Sequence, residues 1–273
     1  MNDASDFKKK IMEEAPRLTE SDRFRFACNP GVPCFNACCA DINIVLTPYD
    51  ILRLKNRLGI SSQEFLEKYA VVPFNKEVKQ PVPVLKMSDH EDKRCQFVGE
   101  EGCTVYEDRP WACRMYPLGL AAPRNEAEQG KRFYFLLEES HCKGFEEDNE
   151  YSVAGWIEDQ GVREYDEAGE MFKDISLHPY FEKGDLSPAK MDMFFNASYD
   201  LDRFRRFVFG SSFLEKFDVD QETVDRIRTD DFELMKFSFK FLRYALFYEP
   251  TMKLKPEFEE VKKREKEFFE EKD

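Results

Sequence analysis

Cys28-Asn29-Pro30-Gly31-Val32-Pro33-Cys34-Phe35-Asn36-Ala37-Cys38-Cys39 puts four thiols into one short stretch, separated by proline, glycine and asparagine. Those residue types bend the chain and end regular structure, so the stretch reads as a loop built to hold something. The other four cysteines, Cys95, Cys103, Cys113 and Cys142, follow within the next hundred or so residues, and the remaining half of the chain has none. One shared site explains thiols segregated in this way better than eight separate packing roles.

With 273 residues the chain can bury a core without disulfides. The N-terminal residues lead into Lys8-Lys9-Lys10 with no apolar run behind them, which predicts neither a signal peptide nor a membrane-spanning helix. The expected compartment is the cytoplasm, where thiols stay reduced and clustered cysteines bind metal or do redox chemistry. A net charge of −14 argues against broad binding to nucleic acid or to an anionic membrane. No protein partner can be named. The 27 phenylalanines read as aromatic core in helices.

Working outward from the loop, a short helix is expected over about Asp6–Glu14. Phe24 and Phe26 alternate with Arg23 and Arg25 just before Cys28, as in a strand or an extended lead-in. After the loop, Ile42, Ile44 and Leu46 alternate as one face of a strand. Thr47-Pro48-Tyr49-Asp50 then opens a helix, with Thr47 as N-cap, Asp50 at the positive end of the dipole and Gly59 as the stop. Ser61-Ser62-Gln63-Glu64 is a capping box for a second helix through about Tyr69. Two such helices can form a helix-turn-helix, but the acidic chain speaks against DNA reading.

Val82–Met87 suggests an edge strand, and Arg94–Val98 with Cys103–Tyr106 suggests a hairpin. Register matters there. Pairing Val98 with Cys103 would point Cys95 and Cys103 to opposite faces, whereas pairing Phe97 with Cys103 would put both thiols on one face, as a shared site demands. Asp108-Arg109-Pro110-Trp111 predicts a helical turn capped by Asp108. Cys113 would then sit near its first turn, where the dipole favours the thiolate. Residues 132–137 form a further strand candidate. From Ser152 onward the pattern turns helical: a long amphipathic segment to about His178, a helix capped by Ser187-Pro188, a continuation through Gly210, a stripe from Phe232 to Leu246, and a charged stretch from Pro256 to Asp273.

Thiolates are soft ligands that select zinc, copper(I) or iron–sulfur clusters, and tetrahedral zinc and four-cysteine clusters each need four donors. Eight thiols would fill two such sites. Neighbouring alpha-carbons are about 3.8 Å apart. The vicinal Cys38-Cys39 pair therefore converges on one ion in a tight turn, divides between two centres, or contributes one ligand. Zinc-ribbon knuckles, the bacterial ferredoxin run, a nucleotide-binding GxGxxG and a P-loop are all absent from the sequence. Arg94, Arg114 and Lys143 each adjoin a cysteine and could offset thiolate charge, and Arg109 could brace the Cys113 turn. Trp111 and Tyr116 read as hydrophobic cover. His90, His141 and His178 read as surface or capping residues.

The four-thiol loop, the Thr-Pro-Tyr-Asp helix start, Gly102-Cys103-Thr-Val-Tyr106 and Arg109-Pro110-Trp-Ala-Cys113-Arg114-Met-Tyr-Pro117 together resemble the YkgJ-type cysteine-cluster family. The resemblance covers about residues 26–145. The spacing of Cys28 and Cys34 is wider than in the usual family loop. A related domain occurs in bacterial flagellin lysine methylases, though no methyl-donor site is visible here. The family is described as a zinc- or iron-chelating domain and is often labelled an iron–sulfur protein.

An α+β protein is expected, with an irregular β-containing cysteine module over residues 1–150 and a mainly helical lobe over 151–273 packed on it. Cys34, Cys38, Cys39, Cys95, Cys103 and Cys113 are the principal metal-ligand candidates, with Cys28 and Cys142 completing the set. The resemblance tips the expected cofactor toward an iron–sulfur cluster over zinc. Two other readings stand beside metal binding: a redox or group-transfer enzyme using the cluster, and a structural or interaction protein stapled by zinc.

Overall fold

The computed structural model describes residues 15–73, 79–121, 133–184 and 186–259. The helix expected at Asp6–Glu14, and the terminal stretch beyond residue 259, lie outside them. The fold class is α+β, with short antiparallel strand pairs and helices concentrated toward the C-terminus. The chain divides into two compact units, Met1–Asp50 with Val84–Ala168, and Ile51–Pro83 with Gly169–Asp273.

All eight cysteines lie in the first unit. Strand Arg23–Arg25 pairs antiparallel with Glu150–Ser152, Phe24 opposite Tyr151. The expected alternation holds, since Phe24 and Phe26 are buried while Arg23 and Arg25 face solvent. These two rings pack with Met115, Leu118, Tyr134, Trp156 and Ile157 into the unit's core. Phe24, Phe26 and Trp156 meet edge to face, a geometry worth about 0.5–1.5 kcal/mol per pair beyond burial. Strand Leu118–Ala121 pairs with Phe133–Leu136, which bears out the strand expected over 132–137. The long amphipathic segment is two helices, Val153–Asp159 and Val162–Ser176, because Gly161 takes φ +60° between them.

In the second unit, Ser61 caps helix Ser62–Tyr69 by accepting from Glu64 N, and Ser187 caps Pro188–Tyr199 by accepting from Lys190 N. The expected continuation is a separate helix, Leu201–Gly210, restarted by Asp200 as its own cap. Along helix Asp231–Phe247, Met235, Phe239, Leu242 and Leu246 are buried as the stripe predicts. Helix Gln221–Thr229, capped by Asp220, has too few apolar residues to announce itself. Lys55, 5% exposed, is held by Asp202 at 3.4 Å and Asp231 at 2.8 Å. Among the described residues no helix is long and apolar enough to cross a membrane.

Candidate metal centre

The lead-in strand delivers the loop to its place. Phe26 N donates to Asn149 O (2.9 Å) and Ala27 N to Gly144 O (3.0 Å), so Cys28 emerges beside the segment that carries Cys142. A Cβ on Gly144 would lie 2.5 Å from Ala27 O and 2.7 Å from the Phe26 ring, so only glycine permits this approach. The loop then advances by turns: Val32 N to Asn29 O, Phe35 N to Val32 O, Ala37 N to Cys34 O and Cys39 N to Asn36 O. Asn36 (φ 65°) and Asp41 (φ 49°) take the left-handed conformation that asparagine and aspartate tolerate, bracketing the Cys38-Cys39 pair. Lys143 N donates to Cys34 Sγ at 3.0 Å, closing the loop onto the Cys142 segment through backbone rather than through the lysine ammonium, which pairs with Glu146.

Beyond the loop, Cys95 N donates to Cys39 O (2.8 Å) and Asp41 N to Lys93 O (3.0 Å). The strand expected over 41–46 is instead extended chain with a single bridge, Val45 to Val84, within reach of the short strand Val84–Leu85. In the hairpin the register is Val98 with Cys103 and Gly99 with Gly102, not the Phe97–Cys103 pairing that a common face seemed to demand. The demand itself was mistaken. Cys95 sits outside the ladder, where the turn Val98 N to Cys95 O (3.1 Å) breaks the alternation, so its thiol direction does not follow from Val98.

Cys113 lies in the first turn of helix Trp111–Met115, as expected, but Asp108 does not cap it. Asp108 closes a 3₁₀ turn, Tyr106–Asp108. The cap comes from 61 residues away: Asp50, fully buried, accepts from Trp111 N at 2.8 Å while also accepting from Thr47 N (2.7 Å) and Thr47 Oγ1 (2.8 Å). Thr47 Oγ1 in turn accepts from Asp50 N, so the reciprocal cap of helix Pro48–Leu58 is tied to the helix that carries Cys113. Arg114 is buried and donates to the carbonyls of Arg109, Gln160 and Glu107. Trp111 Nε1 donates to Asp166 (2.8 Å).

All eight cysteines are free thiols. Burial, then the neighbouring Cys38, Cys34 and Cys142, pushes Cys28 up to about 11. Cys38 is lowered to about 7 because the Cys39 thiol donates to it, and Cys39 rises correspondingly, with Cys113 and Cys95 among its neighbours. Burial pushes Cys113 up to about 12, followed by Cys95, Asp50 and Cys103, so the dipole benefit expected at that short helix is outweighed. Burial also raises Cys95 and Cys103, against which the N–H groups of Phe97 and Val105 favour the respective thiolates. Arg109, buried and stacked on Tyr106, lowers Cys28, Cys103 and Cys113. Its reach to three of the thiols is something adjacency to a cysteine in sequence could not reveal. His141 faces Glu139.

The donor set fits a thiophilic metal: the site is rich in sulfur, with the Asp50 and Glu139 carboxylates beside Cys113 and Cys38, burial and mutual repulsion disfavour free thiolates, and a bound cation would relieve both. Burial, then the adjoining Cys142 thiol, raises the pKa of the Tyr116 hydroxyl, which is placed to donate to a metal-held Cys142 thiolate. Among the described residues no three His, Cys, Asp or Glu side chains are already drawn together as a formed ion site. No curated protein and no solved structure matches the chain. Residues 27–149 match the CxxCxxCC family model, described as "Putative zinc- or iron-chelating domain", and all eight free thiols fall within the matched segment.

Proposed function

We propose that the CxxCxxCC segment binds metal through Cys28, Cys34, Cys38, Cys39, Cys95, Cys103, Cys113 and Cys142, and that iron–sulfur cluster is preferred over zinc. What supports this reading is that the eight free thiols all fall in the matched segment, and that the bonds from Cys95 N to Cys39 O and from Lys143 N to Cys34 Sγ bring cysteine-bearing segments distant in sequence side by side. The preference for a cluster rests on the family resemblance and on the N–H groups of Lys143, Phe97 and Val105 directed at sulfur, a means by which proteins tune cluster potential. A cluster would supply electron transfer, and zinc would supply folding energy. The chain's own residues divide the supporting work. Asp50 fixes the turn that presents Cys113, Arg109 offsets thiolate charge, and Tyr116 covers the Cys142 side. The reading requires a reducing compartment, the cytoplasm.

The test is anaerobic purification followed by metal analysis and a visible spectrum. A brown preparation containing iron and sulfide supports the cluster. A colourless one with stoichiometric zinc keeps metal binding and removes the iron preference. A preparation that holds neither metal, and takes up neither on reconstitution, removes the proposal.

A second reading, an enzyme using the cluster, is favoured by a depression of about 600 Å³ on the same loop, lined by Val32, Phe35, Asn36 and Arg94 among others. It would seat a small polar substrate on the flank of the cysteine loop, with Arg94 and Glu100 as its charged groups and no cysteine in its lining. An Arg94→Ala chain that keeps its metal but loses binding of a small carboxylate would support that reading, and unchanged binding would count against it.

A further inference from the structure

We propose that the depression on the flank of the cysteine loop binds a short peptide with free termini, Arg94 taking its carboxylate, Glu100 its ammonium and Asn36 its backbone amide. This rests on the second reading above, a small polar substrate in that depression, and names the substrate's class.

Backbone holds the walls in place. On one side, the turns Val32 N to Asn29 O (2.9 Å) and Phe35 N to Val32 O (2.9 Å) wind the loop around the buried Val32. On the other, strand Val98–Gly99 pairs with Gly102–Cys103. The Phe35 ring joins the two, since a Cβ on Gly102, which takes φ +124°, would lie 3.2 Å from it. The main chain of Arg94 is fixed as well: Ala40 bridges to it, and its carbonyl accepts from Ser88 N (2.8 Å). The fold thus sets the points from which the polar side chains depart, Asn36 from a left-handed φ of 65°, Arg94 from its bridge and Glu100 from the hairpin turn.

The depression carries an opposed pair of charges that the chain itself does not use. Among the described residues, the side chains of Asn36, Arg94 and Glu100 make no hydrogen bond or ion pair within the chain, although all three line the same depression. Exposed lysines nearby do find partners, Lys93 with Asp41 and Lys86 with Asp89. A guanidinium meets a carboxylate in two parallel N–H···O bonds, a carboxylate accepts from an ammonium, and a primary amide both donates to and accepts from a peptide group. An anion alone would face Glu100, and a cation alone would face Arg94, so a ligand bearing both charges is selected over either. Arg94 and Glu100 do not reach each other. Their ligand must therefore carry its charges apart, as the termini of a peptide are and those of a single amino acid, on one carbon, are not. Val32, Phe35 and Val98 give apolar contact for an aliphatic side chain, and a volume of about 600 Å³ falls within the roughly 300–1,000 Å³ of small-ligand sites.

The test is calorimetric titration of the whole chain, as purified, with L-alanyl-L-leucine, its N-acetyl form, its C-terminal amide and L-leucine. The free dipeptide should bind at least about tenfold more tightly than either blocked form, the loss of one charge-assisted contact. Arg94→Ala should abolish the preference over the amide and keep the preference over the N-acetyl form. Glu100→Gln should do the reverse. Both side chains are exposed, so each variant should keep the wild-type circular dichroism and metal content, and a general loss of fold could not produce the crossed pattern. Blocked forms binding as tightly as the free dipeptide, L-leucine binding as tightly as the dipeptide, or a chain that binds none of the four would overturn the peptide assignment. Acetate judges the parent reading separately. Acetate binding that Arg94→Ala removes keeps that reading when the peptides fail, and acetate binding that Arg94→Ala leaves unchanged removes both.

Discussion

Asp50 is the residue whose replacement tests the architecture of the site most severely without touching a thiol. Its carboxylate is fully buried and accepts from Thr47 N, Thr47 Oγ1 and Trp111 N. Asp50→Ala leaves three donors without that acceptor. At roughly 1–3 kcal/mol per stranded donor the gross loss is about 3–9 kcal/mol. Part of this is returned, because the buried carboxylate is itself costly: desolvation raises its pKa despite the three bonds. We expect a net loss of about 3 kcal/mol, which at roughly 2–4 °C per kcal/mol lowers Tm by about 6–12 °C. Asp50→Asn keeps the shape and one acceptor oxygen and should lose about half as much. The pH dependence has a definite sign. Because the folded chain holds the Asp50 proton more tightly, the group's contribution is fully present below the ordinary carboxylate pKa of about 3.9 and is lost as pH rises through the folded value. Wild type should therefore gain on Asp50→Asn as pH falls across that window. The assay is thermal denaturation by circular dichroism across pH, with zinc titration of each variant. An Asp50→Ala chain within 1 °C of wild type, or one as damaged as Asp50→Asn, would refute the reasoning.

Gly144→Ala should force Ala27 and the Phe26 ring away from the Cys142 segment, costing about 1–3 kcal/mol of thermal stability and weakening metal uptake at the Cys28 side first. In metal-free chain, mass-resolved iodoacetamide labelling should show Cys38 reacting with a midpoint near pH 7 while Cys28 needs pH near 11, and identical profiles would contradict the hydrogen bond assigned to the vicinal pair. Lys55→Ala removes one of the two cations held between Asp202 and Asp231, leaving Arg205 on both, and should cost about 1.5–3 kcal/mol in urea denaturation. Burial would raise Asp231, but hydrogen bonds from Lys55 and Arg205 outweigh it and hold its pKa below the usual range. Its stabilising contribution is present above about 3.9 and is lost as pH falls through the lower folded value, so acid should erase much of the Lys55→Ala difference.

What was legible in the sequence was local. Caps at Thr47, Ser61 and Ser187 act within three residues, and each stands where its side chain said it would. The Phe24/Phe26 alternation followed from periodicity. What failed depended on chain brought from elsewhere or on a single turn. Asp108 had every local mark of a cap, but Asp50 reaches Trp111 from across the unit. The Cys95–Val98 turn voided the parity argument about the hairpin. Gly161 broke a helix that the apolar pattern ran through. The placement of the vicinal pair was open in sequence because it depends on left-handed turns at Asn36 and Asp41, which no periodicity announces.

X-ray absorption at the metal edge of anaerobically loaded protein addresses the central claim without mutation. Thiolate coordination predicts a first shell of sulfur alone, at about 2.3 Å for zinc. A first shell of nitrogen or oxygen, or a chain that retains no metal to measure, would contradict it.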